Sequence, residues 1–209
     1  MMKVYCFNAW CSIDLPIETV MREDGSIFQC GGNYPETIQG ERFRHFLDMC
    51  FEEATSFFLQ KGLWQFADDV SLEQELAPYE LETIYTKKWF LWDLSDAPEE
   101  DSWTMCQKRY RVTEETKKIL NTYFDEIFLG HATGKRETKN YTLEDLCFFK
   151  ENMLFMGTKS HEFCLYVYPP DEVFEQEIKK LGVWEDASAY MKEFMLDSQE
   201  RMTVTKMLK

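Results

Sequence analysis

The sequence has no apolar run approaching the roughly 20 residues that a membrane-spanning helix needs; stretches such as 89–92 and 163–168 end at charges or prolines. It has no Cys-x-x-Cys pair, and its three histidines lie far apart, so the ligand spacing of a structural zinc site is missing. The seven cysteines (Cys6, Cys11, Cys30, Cys50, Cys106, Cys147 and Cys164) are an odd number at wide intervals, most of them inside apolar runs. A thiol in such a run packs as a small hydrophobe. That usage suits a reducing compartment and sets the expectation of a cytoplasmic protein. Near the N-terminus, Asn8, Trp10 and Cys11 interrupt any smooth apolar stretch and no small-residue cleavage site follows, so a secretory signal is not expected.

Positive charge is the other shortage. Lys and Arg number 23 against 38 Asp and Glu, giving a net charge of −15. The excess is local: residues 68–101 hold eleven acids against Lys87 and Lys88, and residues 171–200 hold nine against Lys179, Lys180 and Lys192. Such a field repels phosphate backbones and anionic lipid and draws basic partners inward. The expected partner is a basic protein, with no nucleic acid and no membrane.

Hydrophobic residues make up 44% of the chain and aromatics 16%, enough apolar surface to drive folding without staples. A length of 209 residues fits one globular domain over 1–209. The only linker-like stretch, 95–102, marks at most a weak subdivision.

Residues 3–13 read as a strand, and Asp24-Gly25 as the turn of a hairpin joining 17–22 to 26–30, because Asp-Gly accepts the positive φ angles of a tight turn. Phe43, Phe46, Leu47, Cys50, Phe51, Ala54, Phe57 and Phe58 recur at helical spacing and predict an amphipathic helix over 40–61, closed by Gly62. Ser71 opens a short helix that Pro78 interrupts. Residues 83–94 and 106–112 read as strands. Thr113 caps a helix predicted to run to Gly130. Residues 144–168 look like three antiparallel strands, apolar on both faces and therefore central in a sheet. Helices over 171–181 and 185–199 follow. The fold class is α+β: a mainly antiparallel sheet of about six or seven strands packed by about four or five helices.

The most chemical segment is 157–162, where Gly157, Thr158, Ser160, His161 and Glu162 gather at a strand end. His161 beside Glu162 is the pair that acid–base catalysis uses, since imidazole titrates near neutrality and a carboxylate can orient it; Thr158 and Ser160 are the accompanying ligand contacts. Turns also select Ser, Thr and Gly for backbone reasons alone. Cys164 lies close to His161, but an apolar strand setting suppresses its thiolate. Arg109 and Arg111 in the basic run 108–111 are candidate anion ligands, or else partners for the acids upstream.

Other motifs carry less. Residues 130–136 contain a Gly and a Gly-Lys pair but have the wrong spacing and follow a helix, which excludes a phosphate-binding loop. Glu41, His45, Asp48 and Glu52 share one helix face, which reads as a solvated face rather than a metal site. No metal and no cofactor is expected.

Trp89 and Trp92 beside Asp93, Asp96, Glu99, Glu100 and Asp101 have the composition of an interface for a basic protein, although strand tryptophans usually turn to the core. The leading expectation is thus a binding module, of inhibitor or immunity type, for a basic partner, without catalysis. The alternatives are an enzyme or ligand-binding domain sited at 157–162, and a subunit of an oligomer.

Overall fold

The computed structural model of the chain describes residues 3–9, 17–21, 27–31, 36–61, 69–94, 104–132 and 141–196. Over these the fold is α+β, with an eight-stranded sheet, two small two-stranded sheets and four α-helices. The large sheet is antiparallel throughout and has one strand more than the upper expected number. In spatial order it runs β12 (Trp184–Asp186), β1 (Tyr5–Phe7), β11 (Cys164–Val167), β10 (Met153–Lys159), β9 (Leu143–Lys150), β4 (Ser56–Lys61), β8 (Met105–Arg111) and β5 (Glu80–Thr86).

The three-strand meander of β9, β10 and β11 lies inside the sheet, as double-sided apolarity requires. Phe148 and Phe149 are adjacent in β9 and both fully buried, one on each face. The hairpin of β2 (Ile17–Met21) and β3 (Ile27–Gly31) forms with Ile17 opposite Gly31; Asp24-Gly25 itself lies outside the described residues.

One sheet face is covered by helices. On α1 (Glu41–Glu53), Phe51 meets Phe57 and Phe148, with ring centroids 5.8 and 5.3 Å apart. On α4 (Glu172–Ile178), Phe174 meets Phe155 at 5.9 Å. Two of the helices begin at side-chain caps: Thr113 accepts from Thr116 N–H ahead of α3 (Glu114–Tyr123), and Asp171 from Phe174 N–H ahead of α4. Each cap satisfies an amide that the helix cannot bond internally.

The opposite face is covered by a ribbon of β6 (Lys88–Trp89) and β7 (Trp92–Asp93) and by Phe194. Trp89 packs on Phe58 at 5.1 Å and on Phe194 at 5.1 Å. Gly157 lets the ribbon come this close, because a Cβ there would stand 2.5 Å from the Phe90 ring.

Three helix expectations change. The helix predicted over 40–61 ends at Glu53. Ala54 is extended, and Phe57 and Phe58 belong to β4, where they bury on opposite faces between β8 and β9. Gly62, its expected cap, lies outside the described residues. The helix after Thr113 stops at Tyr123, and Phe124, Ile127 and Phe128 bury from irregular chain. In place of the 185–199 helix, Trp184–Asp186 adds an edge strand to β1, and no α-helix forms among the described residues from 187 to 196. α2 (Ser71–Leu76) matches its expectation and runs into a short 3-10 turn containing Pro78. Among the described residues no helix is long and apolar enough to cross a membrane.

Candidate functional site

Strand β9 carries two acids, Glu144 and Asp145, between Leu143 and Leu146. Between β4 and β9 the register passes from Phe58 opposite Cys147 to Gln60 opposite Glu144, so β9 contains one extra residue. Such a bulge bends the strand and re-aims side chains. Asp145 occupies it at φ 52°, a left-handed conformation that Asp tolerates better than most residues. Both carboxylates are buried, with Glu144 1% and Asp145 2% exposed.

Asp145 is held from two sides. Its Oδ1 accepts the Ser160 N–H at 2.7 Å, and its Oδ2 accepts the Trp92 Nε1–H at 3.1 Å. The carboxylate thereby ties the end of β10 to the ribbon. Burial, and next the adjacent Glu144 charge, push its pKa up to about 7, against the opposing pull of those two hydrogen bonds. The same burial pushes the neighbouring Cys147 thiol up to about 12, with the Asp145 charge adding to it, which leaves it inert as a nucleophile.

Two imidazoles adjoin the pair. His131 Nε2 lies 3.7 Å from Glu144 Oε2. The His131 and His161 rings stand 6.3 Å apart edge to face, and His161 is 5.2 Å from the Trp92 ring. Burial is the main influence on His161 and lowers its pKa. The imidazoles are the part of the cluster that reaches solvent, with side chains 20% and 22% exposed. Lys159 Nζ sits 4.0 Å over the Trp92 ring and 2.8 Å from Glu162.

His131 is brought in by a loop folded around another acid, Glu126, which is fully buried. Its Oε1 accepts from the amides of Gly130 at 2.7 Å and Ala132 at 3.1 Å. Its Oε2 accepts from Phe128 N–H at 3.1 Å and the Thr37 hydroxyl at 2.6 Å. Four donors on one carboxylate fix the path of the chain up to the histidine.

On the other side of Glu144, the floor is made of amides. Gln60, opposite Glu144, accepts from Gln107 Nε2 at 2.7 Å. Gln60 Nε2 and Gln107 Oε1 are buried with no hydrogen-bond partner among the described residues.

Of the residues expected from sequence, the structure gathers those of the 157–162 turn. Thr158 and Ser160 are buried; the Thr158 hydroxyl donates to the Leu146 carbonyl at 3.1 Å and lies 3.3 Å from the Ser160 hydroxyl. His161 and Glu162 approach at 3.8 Å, with Glu162 half-exposed. Arg109 faces inward, bonded to Ser56 and Glu82 at 3.0 Å each, whereas Arg111 is exposed at the end of β8.

The aromatic interface residues divide. Trp89 is 3% exposed and belongs to the core, while Trp92 is part of the site. Asp93 is exposed and 2.8 Å from Lys88. Asp96, Glu99, Glu100 and Asp101 lie outside the described residues.

His131, Glu144, Asp145, Gln60 and Gln107 had escaped the sequence reading. Their one local signal is an acid pair set between leucines at the head of an apolar strand. Among the described residues no group of His, Cys, Asp and Glu is arranged to hold a metal ion. Compared with known proteins, the chain matches no protein-family model, no curated protein and no solved structure.

Proposed function

We propose that the protein binds a small polar ligand beside the 157–162 turn, with His161, His131 and the Glu144–Asp145 pair as its proton-exchanging groups. The observation that carries this reading is the burial of two adjacent carboxylates in the middle of the sheet beside two imidazoles. Packing gains nothing from such a pair. Burial and the neighbouring Glu144 charge act against the ionised form of Asp145, and groups kept at that cost cluster where chemistry or binding uses them. A carboxyl group near neutrality, as Asp145 is, suits both accepting and donating a proton.

The test compares stability in variants that keep shape. Glu144→Gln and His131→Gln are expected to leave the thermal midpoint unchanged or to raise it by a few degrees, since residues held for function are not optimal for stability. A fall of about 5 °C or more in both variants would identify the cluster as scaffold and end this reading.

A second reading keeps the acidic chain as a binding module for a basic protein, in a reducing compartment such as the cytoplasm. It is supported by how the described cations are used. Lys108 lies between Glu73 and Glu80, Arg109 on Glu82, Lys117 between Asp48 and Glu114, and Lys3 and Lys179 on Glu175. With those cations engaged internally, they are not free to meet an acidic partner, and the chain's net charge of −15 favours a basic one. Association with a basic partner is then expected to slow steeply as salt is added. A rate that is flat with salt would sink this reading.

A further inference from the structure

We propose that the ligand of this site carries a neutral amide edge, a hydrogen-bond acceptor beside a hydrogen-bond donor, and seats it on Gln60 and Gln107. The proposal rests on the ligand-site reading above and names the chemistry of its occupant.

Three polar side chains stand in one row across the sheet. Gln60 in β4 is opposite Gln107 in β8 on one side and Glu144 in β9 on the other, so all three emerge on the same face. Both glutamines are fully buried. Gln107 Nε2 donates to Gln60 Oε1 at 2.7 Å, and that one bond leaves half of each amide over. Gln60 Nε2, a donor, and Gln107 Oε1, an acceptor, have no partner among the described residues. Buried polar atoms in that state are costly, and an apolar pair of the same shape avoids the cost. The next position in the row, opposite Gln107 on β5, is the buried Ile84, so this face accepts apolar side chains.

The glutamines alone set the chemistry of the guest. A group that only accepts, such as a carboxylate, leaves Gln107 Oε1 bare. One that only donates, such as an ammonium or guanidinium, leaves Gln60 Nε2 bare. An amide offers its carbonyl to the first nitrogen and its N–H to the second oxygen. Turning both carboxamides over preserves the bond between them and again leaves one donor and one acceptor, so the requirement is the same in either orientation.

The neighbours suit an uncharged guest. Both Asp145 oxygens are taken, by Ser160 N–H and Trp92 Nε1–H. His131 Nε2 lies 3.7 Å from Glu144 Oε2, is buried and has no hydrogen-bond partner among the described residues. An imidazole nitrogen donates or accepts according to its tautomer, so it can meet either end of an amide. The His131 side chain is 20% exposed, which makes it the side from which the buried glutamines are reached.

Three probes of one shape test the proposal: acetamide, acetate and acetamidinium. Each is titrated into the intact protein at neutral pH and constant ionic strength, and the side-chain NH2 resonances of Gln60 and Gln107 are followed. Acetamide is expected to give a saturable shift with a dissociation constant of about 50 mM or tighter, and each charged probe to bind about tenfold more weakly or worse. N,N-dimethylacetamide, which keeps the carbonyl but has no N–H, is expected to leave the resonances in place. No saturable shift with acetamide up to about 100 mM, the result if an internal water alone fills the two atoms, overturns the proposal, as does a charged probe or dimethylacetamide that binds as well as acetamide. Gln60→Glu keeps the bond to Gln107 and turns the outward donor into an acceptor, so acetamidinium is expected to displace acetamide as the preferred probe, read at Gln107. Unchanged preference in the folded variant counts against the proposal, and the wild-type series decides it where the variant does not fold.

A short peptide with one central asparagine separates the two sources of such an edge. Tighter binding than acetamide assigns the amide to a protein side chain, and weaker binding assigns it to a free small molecule. The stability comparison of Glu144→Gln and His131→Gln needs no ligand, so the amide assignment can fail while the ligand-site reading stands.

Discussion

Wild-type protein is expected to lose stability as the pH rises from about 4 to about 8, and Asp145→Asn to remove most of that loss. The Asp145 carboxyl titrates near 7 in the folded chain because it is buried and faces the Glu144 charge; in the unfolded chain it titrates near an ordinary value of about 3.9. The folded state therefore binds the proton more tightly. The stability this contributes is fully present below the unfolded value and is lost as the pH rises through the folded one. The difference corresponds to about 4 kcal/mol across the window.

Other groups act in other windows or with the opposite sign. Glu175 is held down to about 2 by hydrogen bonds from Lys179, Tyr5 and Lys3, so its contribution is lost only as the pH falls through the acid range. His161, lowered mainly by burial, favours the folded state as the pH rises past its unfolded value, which opposes Asp145 near pH 6. In Asp145→Asn that opposing slope remains, so the variant's stability is flat or rises where the wild type's falls.

The asparagine has one oxygen for two donors, Ser160 N–H and Trp92 Nε1–H. Losing one of those bonds costs about 1 kcal/mol at any pH. The two curves therefore cross: the variant is about 1 kcal/mol weaker at pH 4 and about 2–3 kcal/mol stronger at pH 8. Urea unfolding at a series of pH values measures both arms. A variant weaker than wild type at both ends would show that Asp145 is ionised in the fold and structural.

The sheet was legible wherever sequence pattern and burial agree. Strands β9 to β11 are apolar on both faces, and only a central position buries both; Thr113 and Asp171 announce their helices because a side-chain oxygen must take the first free amides. The 40–61 segment was ambiguous in principle. Phe57 and Phe58 continue the helical spacing of Phe51 and Ala54, yet as neighbours they also suit a strand buried on both faces, and pairing with β8 and β9 decides for the strand. Residues 184–186 likewise follow a tertiary partner, β1, rather than their own periodicity.

The candidate site was half visible. The polar turn at 157–162 stands out, but the carboxylates behind it do not. Glu144 and Asp145 fall at the head of the first strand expected over 144–168, where nothing in the sequence marks them as buried, and the bulge that turns them inward is a matter of register with β4. Pattern along one strand carries no information about register with another. His131 is invisible for a similar reason, since it is placed by a loop whose organising residue, Glu126, looks like any surface acid.

That residue supplies the sharpest contrast with Asp145. Glu126→Gln is expected to destabilise the protein by about 3 kcal/mol, although it too replaces a buried carboxylate by its amide. Glu126 is satisfied by four donors, three of them backbone amides that have no freedom to reorient. The best a glutamine can do is keep its oxygen toward Gly130 and Ala132 and turn its NH2 toward Thr37, whose hydroxyl can rotate to accept. Phe128 N–H then faces an N–H with no solvent to replace the lost bond, and the remaining bonds lose their charge assistance.

The damage spreads because the same loop is stitched to the chain ahead of α1. Ile127 N–H donates to the Ile38 carbonyl at 3.0 Å and Gly40 N–H to the Asp125 carbonyl at 2.8 Å. Glu126→Gln is therefore also expected to shift the His131 and His161 imidazole resonances, which a remote destabilisation leaves alone. Urea unfolding and the histidine spectrum check the two parts. A loss below about 1 kcal/mol with unmoved histidines would mean that the loop holds its shape without the carboxylate. Two buried acids thus carry opposite expectations at pH 8: neutralising Asp145 relieves repulsion from Glu144, whereas neutralising Glu126 strands donors that only a carboxylate can satisfy.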